Sequence, residues 1–218
     1  MTTGEANRRR VARRAQLGRE LRGVDPSHDP GAPTRHTREM TRALVLVDIQ
    51  LDYFPGGAFP LVGPEAAVAA ARTVLDTFRA SGERIVHVFH VSTDPEASFF
   101  RPGTTGVEFH PLVSPAAGET VLEKHHPNSF IGTGLQGHLD EAGVTELVIV
   151  GMMSSMCVDS TTRAAHELGY TCTVVSDACA APDLRLGDTS VPGASVHAAF
   201  MAALHGSFAT VTNSASLT

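Results

Sequence analysis

The sequence predicts a doubly wound α/β domain with a mostly parallel sheet of six strands and helices on both faces. Two observations carry this reading. From residue 42 onward, short aliphatic and β-branched runs alternate with longer stretches of helical periodicity, the pattern of repeated βαβ units. Several of those runs are continuously apolar rather than alternating, as strands buried on both faces must be.

Taken in order, ALVLVDI (43–49) is the first expected strand. PEAAVAAARTVLDTFRASG (64–82) opens on Pro and places Val68, Ala71, Val74, Leu75 and Phe78 on one stripe, with Gly82 where a helix ends. RIVHVFHV (84–91) and ETVLEK (119–124) are the second and third strands. LQGHLDEAG (135–143) is a short helix stopped by Gly143, and ELVIVG (146–151) a fourth strand. STTRAAHELG (160–169), YTCTVVSDA (170–178), VPGASVHAAFMAALHG (191–206) and FATVTN (208–213) complete the alternation as helix, strand, helix and strand. In such sheets ligands sit beyond the carboxyl ends of the strands, so chemistry is sought there.

Residues 1–41 stand apart as an expected disordered, Arg-rich tail, leaving 42–218 as the folded domain. The first forty residues hold nine Arg against five acids, and the Pro/Gly/Asp segment 23–33 cannot bury enough surface to order itself. RRRVARRAQLGRELR could form a basic helix for nucleic acid or targeting, but a solvated tail accounts for it as well. A start at Met40 would remove nothing from the core. The remainder carries eight Lys plus Arg against 18 acids, which disfavours nucleic acid or an anionic membrane as partner. Three cysteines, at 157, 172 and 179, form no CxxC and are odd in number, pointing to a reducing compartment. No apolar run approaches membrane-spanning length and no signal-peptide core precedes the domain, so a soluble cytoplasmic protein is expected.

Three titratable residues stand at the expected strand ends. Asp48 interrupts an apolar run, where a carboxylate needs a partner; a turn cap and a catalytic base explain it equally well. Lys124 is the only lysine beside sixteen arginines, which suggests a need for a compact ammonium rather than a planar fork. Cys157, at the turn between a buried strand and a helix, lies where backbone N–H groups, the helix dipole and a nearby Lys⁺ would lower a thiol pKa. Cys172 and Cys179 read as small buried residues.

Other signals carry less. GTGLQG (132–137) matches a dinucleotide fingerprint by letter, but no buried strand precedes it and the helix that follows is short. There is no GxxxxGK[ST], GxSxG or HExxH. His87 and His90 share a strand at odd spacing and point to opposite faces, and the charge of Lys124 opposes a cation near His125 and His126. Neither a metal nor another cofactor is expected.

Together, LVLVDIQLDYFPGG (44–57), VLEKHHPNSF (121–130) and GMMSSMCVDSTTRAAHELGY (151–170) resemble the isochorismatase-like cysteine hydrolases over about residues 42–213. GVEFHP (106–111) and VVSDACA (174–180) add to the likeness, and SFFRPGTTGVEFHP (98–111) is similar to the streptothricin hydrolase branch. The resemblance implies a three-layer Rossmann-like sandwich and a catalytic triad of Asp48, Lys124 and Cys157. It further implies a cis peptide at Met152–Met153 and an oxyanion hole from the N–H groups of Met153 and Cys157. A homo-oligomer, dimer or tetramer, is the family habit. Metal-dependent nicotinamidases carry Asp-Trp-His-Pro after the second strand, where this chain has FHVSTDPE (89–96).

A nucleophilic cysteine favours cleavage of a C–N bond in a small amide, lactam or ureido compound through a thioester. Isochorismate cleavage acts on a vinyl ether and does not need the nucleophilic cysteine. A thiol redox protein or a nucleotide-binding module would be alternatives of another class, and neither accounts for Asp48 and Lys124. Gln50, Phe54 and Phe130 are the expected substrate contacts, with Phe99 or Phe100 as a further wall.

Overall fold

A computed structural model describes residues 41–217, so the expected tail falls, up to residue 40, outside the described residues. The elements are β1 (Arg42–Val47), α1 (Pro64–Ser81), β2 (Arg84–His90), β3 (Thr120–Lys124), α2 (Leu135–Glu141), β4 (Glu146–Met152), α3 (Asp159–Glu167), β5 (Thr171–Ala180), β6 (Leu184–Leu186), β7 (Thr189–Val191), α4 (Gly193–Leu204) and β8 (Thr210–Thr212). Six strands form one parallel sheet in the order β3-β2-β1-β4-β5-β8, while β6 and β7 make a separate antiparallel hairpin. The predicted α/β class is what the chain adopts. Among the described residues no helix is long and apolar enough to cross a membrane.

The period-2 geometry of β1 splits its apolar residues between two cores. Leu44 and Leu46 meet the α1 stripe of Val68, Ala71, Val74, Leu75 and Phe78 on one face. Ala43, Val45 and Val47 point the other way, into a cluster with Leu135 and Leu139 of α2, Ala165 of α3, and Met201 and Leu204 of α4. Each large side chain so buried contributes about 1.5–3 kcal/mol relative to exposure. Pro64 occupies the first turn of α1, and Gly82 ends it in the left-handed region at φ 70°.

Where sequence and structure differ, local geometry gives the reason. The first strand stops at Val47, because Asp48 adopts φ 50° and turns the chain out of the sheet. A 3-10 turn follows at Leu51–Tyr53. Between β4 and α3 the chain winds through a π-helical turn, Ser154–Val158. Residues 184–191, which but for Val191 lie between the expected elements, form the β6–β7 hairpin; its strands are exposed throughout and so lack the apolar pattern of a buried strand.

Two parallel-sheet halves meet at β1 and β4, the point where strand order reverses and where a crevice opens past the carboxyl ends. The strands are pressed together there. Gly151 pairs with Val47 at φ 131°, and any Cβ at this position would collide with the Val47 carbonyl oxygen.

Candidate active site

Four strand ends deliver four polar side chains to this crevice. Asp48 leaves β1, His90 ends β2, Lys124 ends β3, and Cys157 lies in the π-helical turn after β4. In the parallel register His90 is the partner of Lys124, which sets the two side chains beside each other. Asp48, Lys124 and Cys157 are all buried, with at most 3% of their surface exposed.

Lys124 is the hub. Its Nζ lies 2.8 Å from Asp48 Oδ2, 3.0 Å from His90 Nδ1, 3.0 Å from the His126 carbonyl oxygen and 3.3 Å from Cys157 Sγ. An ammonium has three protons for these four neighbours, so one contact is always the weaker, and the sulfur is the farthest. Asp48 is in contact with the ammonium by charge, yet neither of its oxygens accepts a well-directed hydrogen bond among the described residues. The carboxylate therefore keeps lone-pair capacity for another proton.

The electrostatics follow from burial. Removal from water raises the Asp48 carboxyl, opposed by the charge of the adjacent Lys124 ammonium. Burial also pushes the Cys157 thiol up, and the negative charge of Asp48 pushes it further, against the pull of Lys124. Lys124 is held above its ordinary value: burial lowers it, and its two acidic neighbours more than offset that. The expectation of a thiol acidified by the helix terminus is thus corrected, because dehydration and a neighbouring carboxylate outweigh the dipole. The cluster is neutral overall when the ammonium faces one negative charge, with a single proton shared between Asp48 and Cys157.

Asp48, His90 and Cys157 bring one donor atom each within 4.8 Å of one another, the one grouping of metal-ligating side chains among the described residues. Lys124 Nζ lies within 3.3 Å of a donor atom of each. The lysine ammonium takes the place a cation would occupy, so this donor set does not fit a metal while Lys124 is charged.

Sequence alone offers His90 only as a candidate metal ligand. Burial first, and then the Lys124 charge, lower its pKa to about 4, so it is neutral and accepts the lysine proton at Nδ1. Its strand neighbour His87 points to the other side of the sheet, as the odd spacing predicts, and contacts Glu119 Oε2 at 2.8 Å. Arg79 holds the Glu119 carboxyl down to about 2, with the Ala116 N–H and His87 assisting.

The His90, His87 and Glu119 shifts have one sign, opposite to that of the raised Asp48 carboxyl. His90 falls from its ordinary 6.5 to about 4, so between those values the unfolded chain binds a proton that the folded chain refuses, and stability is lost as pH falls through that window. Burial lowers His87 also, in the same direction. Glu119, depressed from 4.5 to about 2, adds a second loss as pH falls below its ordinary value. Thermal midpoints measured from neutral to acid pH should fall first below about pH 6.5. Glu119→Gln should remove the steeper loss below about pH 4.5. A midpoint that rises on acidification would contradict this assignment.

A cavity of about 370 Å³ opens over the thiol, lined by Tyr53, His90, Phe100, Met153, Met156 and Cys157 among others. Its floor is secured from both sides. Ser154, fully buried, donates its hydroxyl proton to the Ala180 carbonyl of β5 at 3.0 Å, and His197 Nδ1 of α4 lies 2.8 Å from the same oxygen. With that proton committed, His197 is the donor. Asp52, also buried, accepts from the N–H groups of Ala58 and Phe100 at 3.0 and 2.6 Å. It thereby holds Phe100 at φ 56°, with its ring stacked on His90. The peptide between Met152 and Met153 is cis.

None of Gln50, Phe54 and Phe130 lines the cavity over Cys157. The Gln50 amide is spent on backbone: Nε2 donates to the carbonyls of His90 and Val107, and Oε1 accepts from the His90 N–H. Phe54 packs on His110 and lines the adjoining cavity of about 580 Å³ rather than that of Cys157. Phe130 stacks on Tyr170 and does not line the cavity over Cys157. Phe99 and Phe100 do line the Cys157 cavity. Tyr53, which sequence reasoning passed over between Gln50 and Phe54, lines it too.

Comparison with known proteins converges on one group. The isochorismatase domain model matches residues 42–216. An uncharacterized isochorismatase family protein, YddQ of Bacillus subtilis, is 52% identical over 172 residues, covering 79% of this chain and 96% of that one. The crystal structure of an isochorismatase from Pseudomonas putida superimposes with a TM-score of 0.77 at 38% identity, covering 81% of this chain and 90% of that one. That of N-carbamoylsarcosine amidase from Thermoplasma acidophilum gives 0.67 at 31% identity, covering 80% and 97%.

Proposed function

The chain belongs to the isochorismatase family of hydrolases, and on that premise we propose that it hydrolyses a C–N bond of a small amide, lactam or ureido compound, with Cys157 as nucleophile. The observation that carries this reading is the buried contact of one ammonium, that of Lys124, with both Asp48 and Cys157 beneath an open cavity. A packing role explains none of the three, since burying charge costs free energy unless it is paired, and apolar side chains would fill the space better. The likeness to an amidase of known structure supports the same reaction class.

The reaction follows from the proton inventory. Asp48 takes the thiol proton while Lys124 turns toward the sulfur, so the charge on the cluster stays zero as the nucleophile forms. The thiolate attacks the carbonyl carbon, and the oxyanion is stabilised by the N–H groups of Met153 and Cys157. The C–N bond breaks as Asp48 returns the proton to the leaving nitrogen, giving ammonia or an amine and an acyl thioester. The regenerated Asp48 carboxylate then takes a proton from water, whose oxygen attacks the thioester. The acid leaves and the proton returns to sulfur. His90, neutral, steadies the ammonium through both halves without itself changing charge.

The test is release of ammonia or amine, with a chelator present, from nicotinamide, an N-carbamoyl amino acid, ureidoacrylate, maleamate and a streptothricin lactam, with isochorismate alongside. Turnover of at least one amide is expected. Consumption of isochorismate alone, with every amide intact, would contradict C–N hydrolysis.

A further inference from the structure

The cavity over Cys157 carries a charge pattern that the triad does not use. Two ionisable side chains project at its rim, Asp94 and Glu96, both exposed and both acidic. Asp94 Oδ1 accepts the N–H of Glu96, and Glu96 has no ion pair among the described residues. Among the described residues no arginine or lysine side chain lines this cavity. The Lys124 charge beneath it is matched by the anion shared between Asp48 and Cys157, so it offers no net attraction to a ligand carboxylate. The wall is aromatic: Tyr53, Phe99 and Phe100.

Tyr53 adds an independent pointer. Its side chain is 1% exposed and it lines the cavity. Burial raises its pKa well above the ordinary value, with Cys157, Asp48 and Asp52 adding, so the group stays neutral. A tyrosine hydroxyl beside a cavity is placed to hydrogen-bond a polar group of the ligand. Its lone pairs suit an N–H donor, as do the two carboxylates, while aromatic faces attract a cation.

Resting on the amidase reading above, we propose that this cavity selects amides bearing a cationic group, an amine or a guanidinium, on the acyl or leaving side, over amides bearing a carboxylate. Asp94 and Glu96 supply the charge, Tyr53, Phe99 and Phe100 the wall, and Cys157 the reaction. A carboxylate-bearing substrate would face two like charges, with no arginine or lysine lining the cavity among the described residues. Arg101 is a cationic side chain that lines the adjoining cavity, which shares Ser98 and Phe99 with this one.

The experiment compares three amides of one acyl skeleton, ending in an ammonium, a methyl or a carboxylate, by kcat/KM. The wild type is expected to prefer the cationic over the neutral amide by roughly tenfold, and the anionic least. That ratio should shrink from low salt to about 0.5 M. It should collapse toward unity in Asp94→Asn/Glu96→Gln and invert toward the anionic amide in Glu96→Arg. Equal rates on all three amides would overturn the proposal. So would a preference for the anionic one, and its loss in Arg101→Gln would assign selection to the adjoining cavity. Turnover of the neutral amide keeps the two readings apart: present without charge preference, the selectivity fails and the amidase stands. If no amide turns over and Cys157 alkylates no faster than Cys172 and Cys179, the amidase reading fails and the selectivity with it.

Discussion

Cys157→Ala should lose turnover of the amide by roughly 10⁴- to 10⁶-fold while the protein keeps its fold, the range found when the nucleophile of a covalent hydrolase is removed. The side chain is buried and touches Lys124, but its loss removes one sulfur and leaves the Asp48–Lys124 ion pair whole. Stability should therefore drop by no more than about 1–2 kcal/mol, an ordinary value for a core substitution of this size. Circular dichroism and thermal midpoint would register the intact fold beside the lost activity. Cys172→Ala and Cys179→Ala are the internal controls. Both thiols are buried and pushed up to about 12 by that burial, neither contacts Lys124, and neither substitution should slow turnover to a comparable degree. If Cys157→Ala retained even a tenth of wild-type kcat, covalent catalysis at this residue would be excluded.

Lys124→Met has the opposite signature, a stability defect larger than any other in the site. Methionine fills much the same space, but it leaves Asp48, 0% exposed, without its counter-ion. Removing one partner of a buried pair costs about 3–5 kcal/mol, because the remaining charge stays desolvated. For a domain of this size that is a fall of roughly 10 °C in thermal midpoint. Asp48 would respond by holding its proton, so the single variant should recover part of its stability as pH is lowered toward 5, a regime where the wild type loses it. The double variant Asp48→Leu/Lys124→Met should regain most of the lost stability, since replacing both members by apolar groups is close to neutral. Neither should turn over substrate. A Lys124→Met protein as stable as the wild type would mean that Asp48 is already protonated in the resting enzyme.

The residues that proved legible in sequence are those that violate a rule. Asp48 breaks an apolar strand, Lys124 is alone among arginines, and Cys157 stands at a strand-to-helix turn; the structure gathers all three around one nitrogen. The alternation of runs and helical stripes was equally readable, because burial on two faces imposes it. What could not be read was register and chain direction after a strand ends. His90 meets Lys124 only because β2 and β3 pair as they do, and one sequence does not state a pairing. Past Asp48 the backbone leaves strand geometry for a 3-10 turn. Alternation therefore ceases to say which of Gln50, Tyr53 and Phe54 faces the crevice. Gln50 turns to backbone, Phe54 to the adjoining cavity, and Tyr53 to the thiol's cavity. The thiol departs from the acidified form for a related reason: the helix terminus is local and visible in sequence, whereas burial and the proximity of Asp48 are tertiary.

The central claim is a thioester on Cys157. Acid-quenching the enzyme milliseconds to seconds after mixing with a turned-over amide, then digesting and weighing the peptides, tests it most directly. The account predicts a mass increase equal to the acyl group on the peptide containing Cys157, removed by hydroxylamine and absent from the peptides of Cys172 and Cys179. Steady turnover at saturating substrate, with Cys157 unmodified at every quench time and still dispensable on substitution, would contradict it.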